Sequence, residues 1–158
     1  IEENLISDRF FTRALNKGLL LNAKAVAESA RALIKEFDIR AQSPRTPVKM
    51  LSGGNIQKVV VAREFSSNPK VIIANQPTRG IDVGATEFIH RKLMSYCEKG
   101  VGVLLISADL NEVMNLSDRL AVMYNGEVVA LFPDARKVTE EELGLYMLRV
   151  KRQEADAK

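Results

Sequence analysis

The run Leu51–Lys58 constrains the fold more than any other segment, because a serine and two glycines stand directly before a helical pattern. Glycine has no Cβ, so the backbone at Gly53 and Gly54 can approach a ligand closely. The first N–H groups of the following helix have no partner inside the helix, and the helix dipole favours negative charge beside them. Ser52 adds a hydroxyl donor. The run therefore predicts an anion-binding loop, although a flexible turn before a helix would read similarly.

The segments after this run alternate between strand and helix patterns. The helix that follows Ser52 is predicted to reach about Phe65, and Ser66–Pro69 ends it. The apolar run Val71–Ala74 predicts a strand buried on both faces. Further predicted elements are helices at about 23–37, 85–98 and 109–116, a second buried strand at 101–107, and a hairpin of strands 120–124 and 127–131. This order predicts a parallel α/β sheet with helices on its faces, preceded by an all-helical insert.

Two of these helices carry residue-level predictions. Asn22 is expected to cap the helix at 23–37. The apolar stripe of that helix, expected to face the core, consists of Val26, Ala30, Leu33, Ile34 and Phe37. Cys97 is expected to pack on the apolar face of the helix at 85–98. As the sole cysteine it cannot form an internal disulfide, which fits a reducing compartment.

The strand Val71–Ala74 is followed by Asn75–Asp82, which reads Asn-Gln-Pro-Thr-Arg-Gly-Ile-Asp. With Leu51–Lys58 before it, this order resembles the signature motif, Walker B strand and D-loop of the ATP-binding cassette (ABC) ATPases. The particular sequences resemble the tandem-cassette ATPases of bacterial importers for ribose-type sugars and nucleosides, over about residues 3–131.

This resemblance implies an α/β fold of the P-loop NTPase (ABC cassette) type, with a mainly parallel sheet and an α-helical subdomain. It implies a helical subdomain with the signature loop and helix at 1–68, and the later part of the ATP-binding core at 69–150. Residues 151–158 are expected to form a frayed tail.

A phosphate loop of the type Gly-x4-Gly-Lys-Ser/Thr, which would cradle the phosphates of ATP, does not occur in the sequence. We expect this loop and the first strands of the core to lie upstream of Ile1. The chain begins without methionine, and we expect it to be a C-terminal cassette fragment of a longer protein. The isolated chain is therefore predicted to have no ATPase activity.

The catalytic positions that the resemblance identifies are all altered. Where the family places Asp to hold Mg²⁺ and Glu to orient the attacking water, this chain has Asn75 and Gln76. An amide keeps the shape of a carboxylate but loses its charge and basicity, so Gln76 cannot act as a general base. The position of the switch histidine falls on Ala108. No intact catalytic residue and no metal ligand set are therefore predicted in this chain.

The residues that the resemblance assigns to nucleotide binding are Ser52, Gly53, Gly54, Asn55, Gln57 and Asp82. In ABC dimers, one half's signature completes an ATP site whose phosphate loop belongs to the other half. The expected cofactors of the full assembly are therefore ATP and Mg²⁺, with hydrolysis at the partner cassette's site. The alternative to this division of labour is that the catalytic groups were lost by sequence decay that has no functional meaning.

The resemblance implies three partners: an N-terminal cassette of the same full-length protein, membrane permease subunits, and indirectly a periplasmic or lipoprotein solute-binding protein. It places the protein on the cytoplasmic face of the membrane. No apolar stretch approaches the ~20 residues that span a bilayer. The net charge is +3, but the basic residues are scattered, so nucleic acid is not expected.

Two other classes of function remain open. One is a non-transport ABC ATPase of translation or DNA repair, which would be expected to keep both Walker B acids. The other is a structural or regulatory module without a nucleotide role, which Ser52–Gly54 argues against. We also expect the isolated chain to have a sheet with an unpaired edge and uncovered apolar surface, and to cover them by dimerising or by domain swapping.

Overall fold

The computed structural model describes residues 1–153. The predicted tail at 151–158 therefore lies largely outside the described residues. The contacts divide the chain into two compact units, Ile1–Leu104 and Leu105–Lys158. The domain boundary predicted at residue 68 stays a prediction.

The first unit is mainly helical. Its elements are α1 (Glu2–Ile6), β1 (Asn16–Lys17), β2 (Leu20–Leu21), α2 (Ala23–Glu36), a 3-10 turn (Val48–Met50), α3 (Gly53–Ser66), β3 (Val71–Asn75), α4 (Val83–Glu98) and the start of β4 (Gly102–Ile106). Asn22 caps α2 as predicted, because its side chain accepts hydrogen bonds from the N–H groups of Lys24 and Ala25.

The helices of this unit share one core. Helix α3 contacts α1, α2 and α4. The α2 stripe is confirmed at its buried members Val26, Ala30, Leu33 and Phe37, whereas Ile34 is half-buried. The Phe37 and Phe65 rings lie 6.3 Å apart between centroids, and the Phe65 and Tyr96 rings 4.3 Å apart. Aromatic side chains therefore join the ends of α2, α3 and α4.

The described strands form three two-stranded sheets, β1–β2, β3–β4 and β5–β6. Strands β1 and β2 are antiparallel. At the start of β4, the Gly102 N–H donates to the Lys70 carbonyl at 3.0 Å, so the beginnings of β3 and β4 are adjacent, as in a parallel pair. The parallel part of the predicted sheet is thus limited to this pair among the described residues.

The prediction that β3 is buried on both faces is wrong for this chain. Ile72 and Ala74 are buried, but Val71 is 63% exposed and Ile73 is 68% exposed. The reason is that successive side chains of a strand point to opposite faces, and only one face of β3 is covered here. Strand β4 is likewise not fully buried, since Leu104 is 55% exposed.

Cys97 is exposed, which corrects the predicted packing position. Ile89 and Leu93 of α4 are buried, and one turn later Tyr96 packs on Phe65. Cys97 is rotated by about 100° from Tyr96 around the helix axis, which places it at the edge of the buried face, where it is exposed.

The second unit contains α5 (Leu110–Leu116), β5 (Leu120–Tyr124), β6 (Glu127–Phe132), a 3-10 turn (Ala135–Lys137) and α6 (Glu140–Met147). Strands β5 and β6 form the predicted antiparallel hairpin, with an irregularity between Val122 and Met123. Both turn residues, Asn125 (φ 49°) and Gly126 (φ 81°), have the positive φ of a tight hairpin turn. Within residues 1–153, no helix is long and apolar enough to cross a bilayer.

Candidate functional site

The N-terminus of α3 is not capped by its own N-cap side chain. Ser52 is extended (φ −67°, ψ 158°) and directly precedes Gly53, the first helical residue, yet its hydroxyl accepts nothing from the helix N–H groups. By contrast, four other helices are capped by a side-chain oxygen of their N-cap residue, namely Asn22, Asp82, Asp109 and Thr139. The first N–H groups of α3 therefore keep their donor capacity for another acceptor.

The Ser52 hydroxyl is held by a side chain one turn further along α3. The Asn55 amide nitrogen, Nδ2, donates to Ser52 Oγ at 2.9 Å. The other end of the same amide, Oδ1, accepts from the Arg40 N–H at 2.7 Å. A serine hydroxyl has one hydrogen to donate, and the bond from Asn55 uses an acceptor site and leaves that hydrogen available.

The two glycines differ in their surroundings. A Cβ at Gly54 would lie 2.8 Å from Ala85 Cβ and 2.9 Å from Asp82 Oδ2, closer than real side chains approach. A Cβ at Gly53 would have no neighbour closer than Gly80 O at 3.9 Å, and Gly53 is exposed. Gly54 therefore serves the packing of α3 on the start of α4, whereas Gly53 leaves the outer side of the loop open.

One further hydrogen bond joins α3 to the segment after β3, and another fixes the end of that segment on α4. Gln57 Nε2 donates to the Pro77 carbonyl at 2.9 Å. Asp82 caps α4, since its Oδ1 accepts from the Ala85 N–H at 2.9 Å. The structure therefore assembles into one corner all the residues that the sequence assigned to nucleotide binding, namely Ser52, Gly53, Gly54, Asn55, Gln57 and Asp82.

Asn75, Gln76 and Ala108, the positions that the resemblance compares with catalytic groups, take no part in these contacts. Asn75 ends β3 and is exposed, and Gln76 follows it with a positive φ of 49°. Ala108 is exposed and belongs to the second unit. Mg²⁺ sites in nucleotide-binding proteins rely on carboxylate ligands, and the described residues contain no cluster of three or more His, Cys, Asp or Glu side chains that could hold a metal. Neutral Asn75 and Gln76 do not fit a carboxylate-held Mg²⁺.

Sequence reasoning missed the turn that supports Asn55. Lys58 is only 8% exposed, and its Nζ donates to the carbonyl oxygen and to Oδ2 of Asp38, both at 2.8 Å. The hydrogen bond and positive charge of Lys58 lower the pKa of the Asp38 carboxyl. This contact joins residues 20 positions apart, so no local pattern could have indicated it.

No protein-family model matches the chain. Among curated proteins, it is 42% identical over 155 residues to the guanosine import ATP-binding protein NupO of Bacillus subtilis, a match that covers 98% of this chain and 30% of the relative. It is 38% identical to the nucleoside import ATP-binding protein NupA of Lactococcus lactis, covering 94% and 29%. It is also 40% identical to the ribose import ATP-binding protein RbsA of Bacillus subtilis, covering 78% and 25%. The chain thus spans less than a third of the length of these relatives.

Solved structures resemble the chain as well. A nucleotide-free ATP-binding cassette from an ABC transporter superposes with a TM-score of 0.68 at 26% identity, covering 93% of this chain and 58% of that one. A bacterial ABC transporter cassette solved as a dimer superposes with a TM-score of 0.63 at 26% identity, covering 78% and 52%.

Proposed function

We propose that the chain is part of an ATP-binding cassette ATPase of the sugar and nucleoside importer type, as its relatives and structural neighbours are, and that its signature corner completes an ATP site on a partner cassette. We define the signature corner as Ser52, Gly53, Gly54, Asn55, Gln57 and Asp82. In this proposal the chain supplies binding groups for ATP and no catalytic base.

The observation that carries the proposal is the open N-terminus of α3. The Ser52 side chain does not cap the helix, and a Cβ at Gly53 would meet nothing closer than 3.9 Å. Free backbone N–H groups, a helix dipole and a hydroxyl donor together favour a phosphate. Ser52, Gly53 and the first N–H groups of α3 would hold the terminal phosphate of ATP, whose hydrolysis provides the energy for transport.

The ATP site to which this chain contributes Asn75, Gln76 and Ala108 is proposed not to hydrolyse ATP. Gln76 cannot accept a proton from water as a glutamate would, and Asn75 offers only a neutral oxygen to a cation. Ala108 has no polar atom in its side chain. These three replacements support a division of labour in which the partner cassette's site hydrolyses ATP.

The solute is proposed to be a nucleoside or a simple sugar. The guanosine and nucleoside import proteins NupO and NupA match 98% and 94% of this chain, and ribose import proteins match a smaller share. The proposed partners are the N-terminal cassette of the same full-length protein, membrane permease subunits and, indirectly, a periplasmic or lipoprotein solute-binding protein. The proposed location is the cytoplasmic face of that membrane.

The test is Ser52→Arg in the full-length protein assembled with its permease. An arginine side chain at this position would occupy the open side of the loop, and we expect ATP turnover to fall to background. The matched control is Ser67→Arg, because Ser67 is an exposed serine just past the other end of α3. Turnover that is unchanged in Ser52→Arg would overturn the proposal.

A further inference from the structure

The hydrogen bonds around Ser52 continue well beyond the signature corner. Asn55 Nδ2 donates to Ser52 Oγ at 2.9 Å, and Asn55 Oδ1 accepts from the Arg40 N–H at 2.7 Å. An amide that donates at one end and accepts at the other has a fixed orientation. The direction of the Ser52 hydroxyl hydrogen is therefore linked to the position of the backbone at Arg40.

The backbone at Arg40 is itself fixed by a second residue of α3. Asp38 has a positive φ of 47°, and Lys58 Nζ donates to both its carbonyl oxygen and its carboxylate, each at 2.8 Å. The Lys58 ammonium also lies 4.6 Å from the centre of the Phe88 ring of α4. Because Lys58 is buried, its ammonium depends on these partners in place of water.

Asn55 and Lys58 are one helical turn apart, so they lie on the same side of α3. Both bind the turn 38–40 that follows α2. A shift of this turn relative to α3 would withdraw the Arg40 N–H from Asn55 and release the amide that orients Ser52.

We propose that Asn55 and Lys58 are positioning residues that tie the Ser52 hydroxyl to the turn at the end of α2. This inference rests on the proposed role of Ser52 toward ATP. Through these contacts, a movement of the α2 end would change the orientation of the Ser52 hydroxyl and so how well the signature corner binds phosphate.

The experiment measures ATP turnover in the full-length protein with its permease, first for two single variants and then for a double-mutant cycle of Asn55 with Ser52. Asn55→Leu keeps a side chain of similar size without hydrogen bonds. Lys58→Met keeps the apolar stem without the ammonium. We expect each change to lower kcat roughly 3- to 10-fold, the effect of one lost hydrogen bond. The KM for ATP should change little, because the partner's phosphate loop holds most of the nucleotide.

The decisive comparison is made in a Ser52→Ala background. If Asn55 acts through the Ser52 hydroxyl, Asn55→Leu should lower turnover no further there. Arg63→Met is the matched control, since Arg63 pairs with its neighbour Glu64 near the other end of α3 and should leave turnover unchanged. Thermal unfolding establishes that each variant is folded, and if Lys58→Met is not, the Asn55 cycle decides alone.

The outcomes separate the two proposals. Fully additive effects of Asn55→Leu and Ser52→Ala, or no effect of Asn55→Leu, would overturn the positioning role and leave the proposed function intact. Normal turnover in Ser52→Ala and in Ser52→Arg would overturn the proposed function and this inference with it.

Discussion

Gly53 and Gly54 have the same side chain but are required for different reasons. Gly54 is buried and lies against Ala85 and Asp82, whereas Gly53 is exposed and has no close neighbour. A sequence pattern treats the two positions alike, because it records the absence of a Cβ and not what would occupy its place.

This difference predicts unequal effects of alanine on folding. Gly54→Ala places a methyl group 2.8 Å from Ala85 Cβ, and such overpacking costs about 1–3 kcal/mol of unfolding free energy. Gly53→Ala meets no clash, and at a helix N-terminus alanine should be neutral or slightly stabilising. Denaturant unfolding of the two variants measures the contrast, and equal losses of stability would contradict it.

The signature corner as a whole could be predicted from the sequence, because its residues fall in two short runs. The roles of some members could not. The resemblance assigns Asp82 to nucleotide binding, and the structure shows that its carboxylate caps α4. The hydrogen bond from the Arg40 N–H to Asn55 Oδ1 joins residues 15 positions apart, so only the fold reveals it.

At the scale of helices and strands, the ends of elements were predicted well wherever a local signal marks them. Asn22 caps α2 as expected, and Asn125 and Gly126 turn the β5–β6 hairpin. Burial was predicted less well, since an apolar run indicates that a strand exists and not how many of its faces are covered. Strand β3 shows this directly.

The contact between the α2 end and α3 makes a prediction about pH. Because the Lys58 hydrogen bond and charge lower the pKa of Asp38, the carboxylate stabilises the folded state at pH values above the ordinary range for aspartate. That stabilisation is lost as pH falls through the lowered pKa. Arg40 adds a smaller effect of the same sign.

Asp38→Asn should therefore be less stable than the unaltered chain at neutral pH, and the gap should narrow in acid. Unfolding free energy measured from neutral to acidic pH tests this expectation. The side chain of Asp38 is 66% exposed, so added salt should reduce the gap at neutral pH. A gap that stays constant across the whole range would contradict the assignment.

Across the described residues many large apolar side chains are exposed, and two sets of them lie in the first unit. One group lies around the β1–β2 hairpin and consists of Phe10, Phe11, Leu19, Leu20 and Leu21. The other lies on the open face of β3, with Val71 and Ile73. Contiguous exposed apolar surface marks places where a protein is normally covered, which agrees with a chain that spans less than a third of its curated relatives.

The open face of β3 leads to a prediction about association. Strand β3 pairs with β4 alone among the described strands, so an unpaired edge adjoins the exposed Val71 and Ile73, and such edges pair with other chains. We expect the isolated chain to self-associate as its concentration rises, because burial of an isoleucine side chain contributes about 1.5–3 kcal/mol. Ile73→Lys should weaken this association, since a charge on that face would have to be desolvated.

The matched control for Ile73→Lys is Met123→Lys, because Met123 is 63% exposed and lies on β5 in the second unit. Sedimentation velocity over a concentration series measures the association of the three proteins, and far-UV circular dichroism checks that each is folded. An unaltered chain that stays monomeric at high concentration would contradict the prediction. If Met123→Lys weakened association as much as Ile73→Lys, the effect would come from added charge, and the open face of β3 would not be the site of contact.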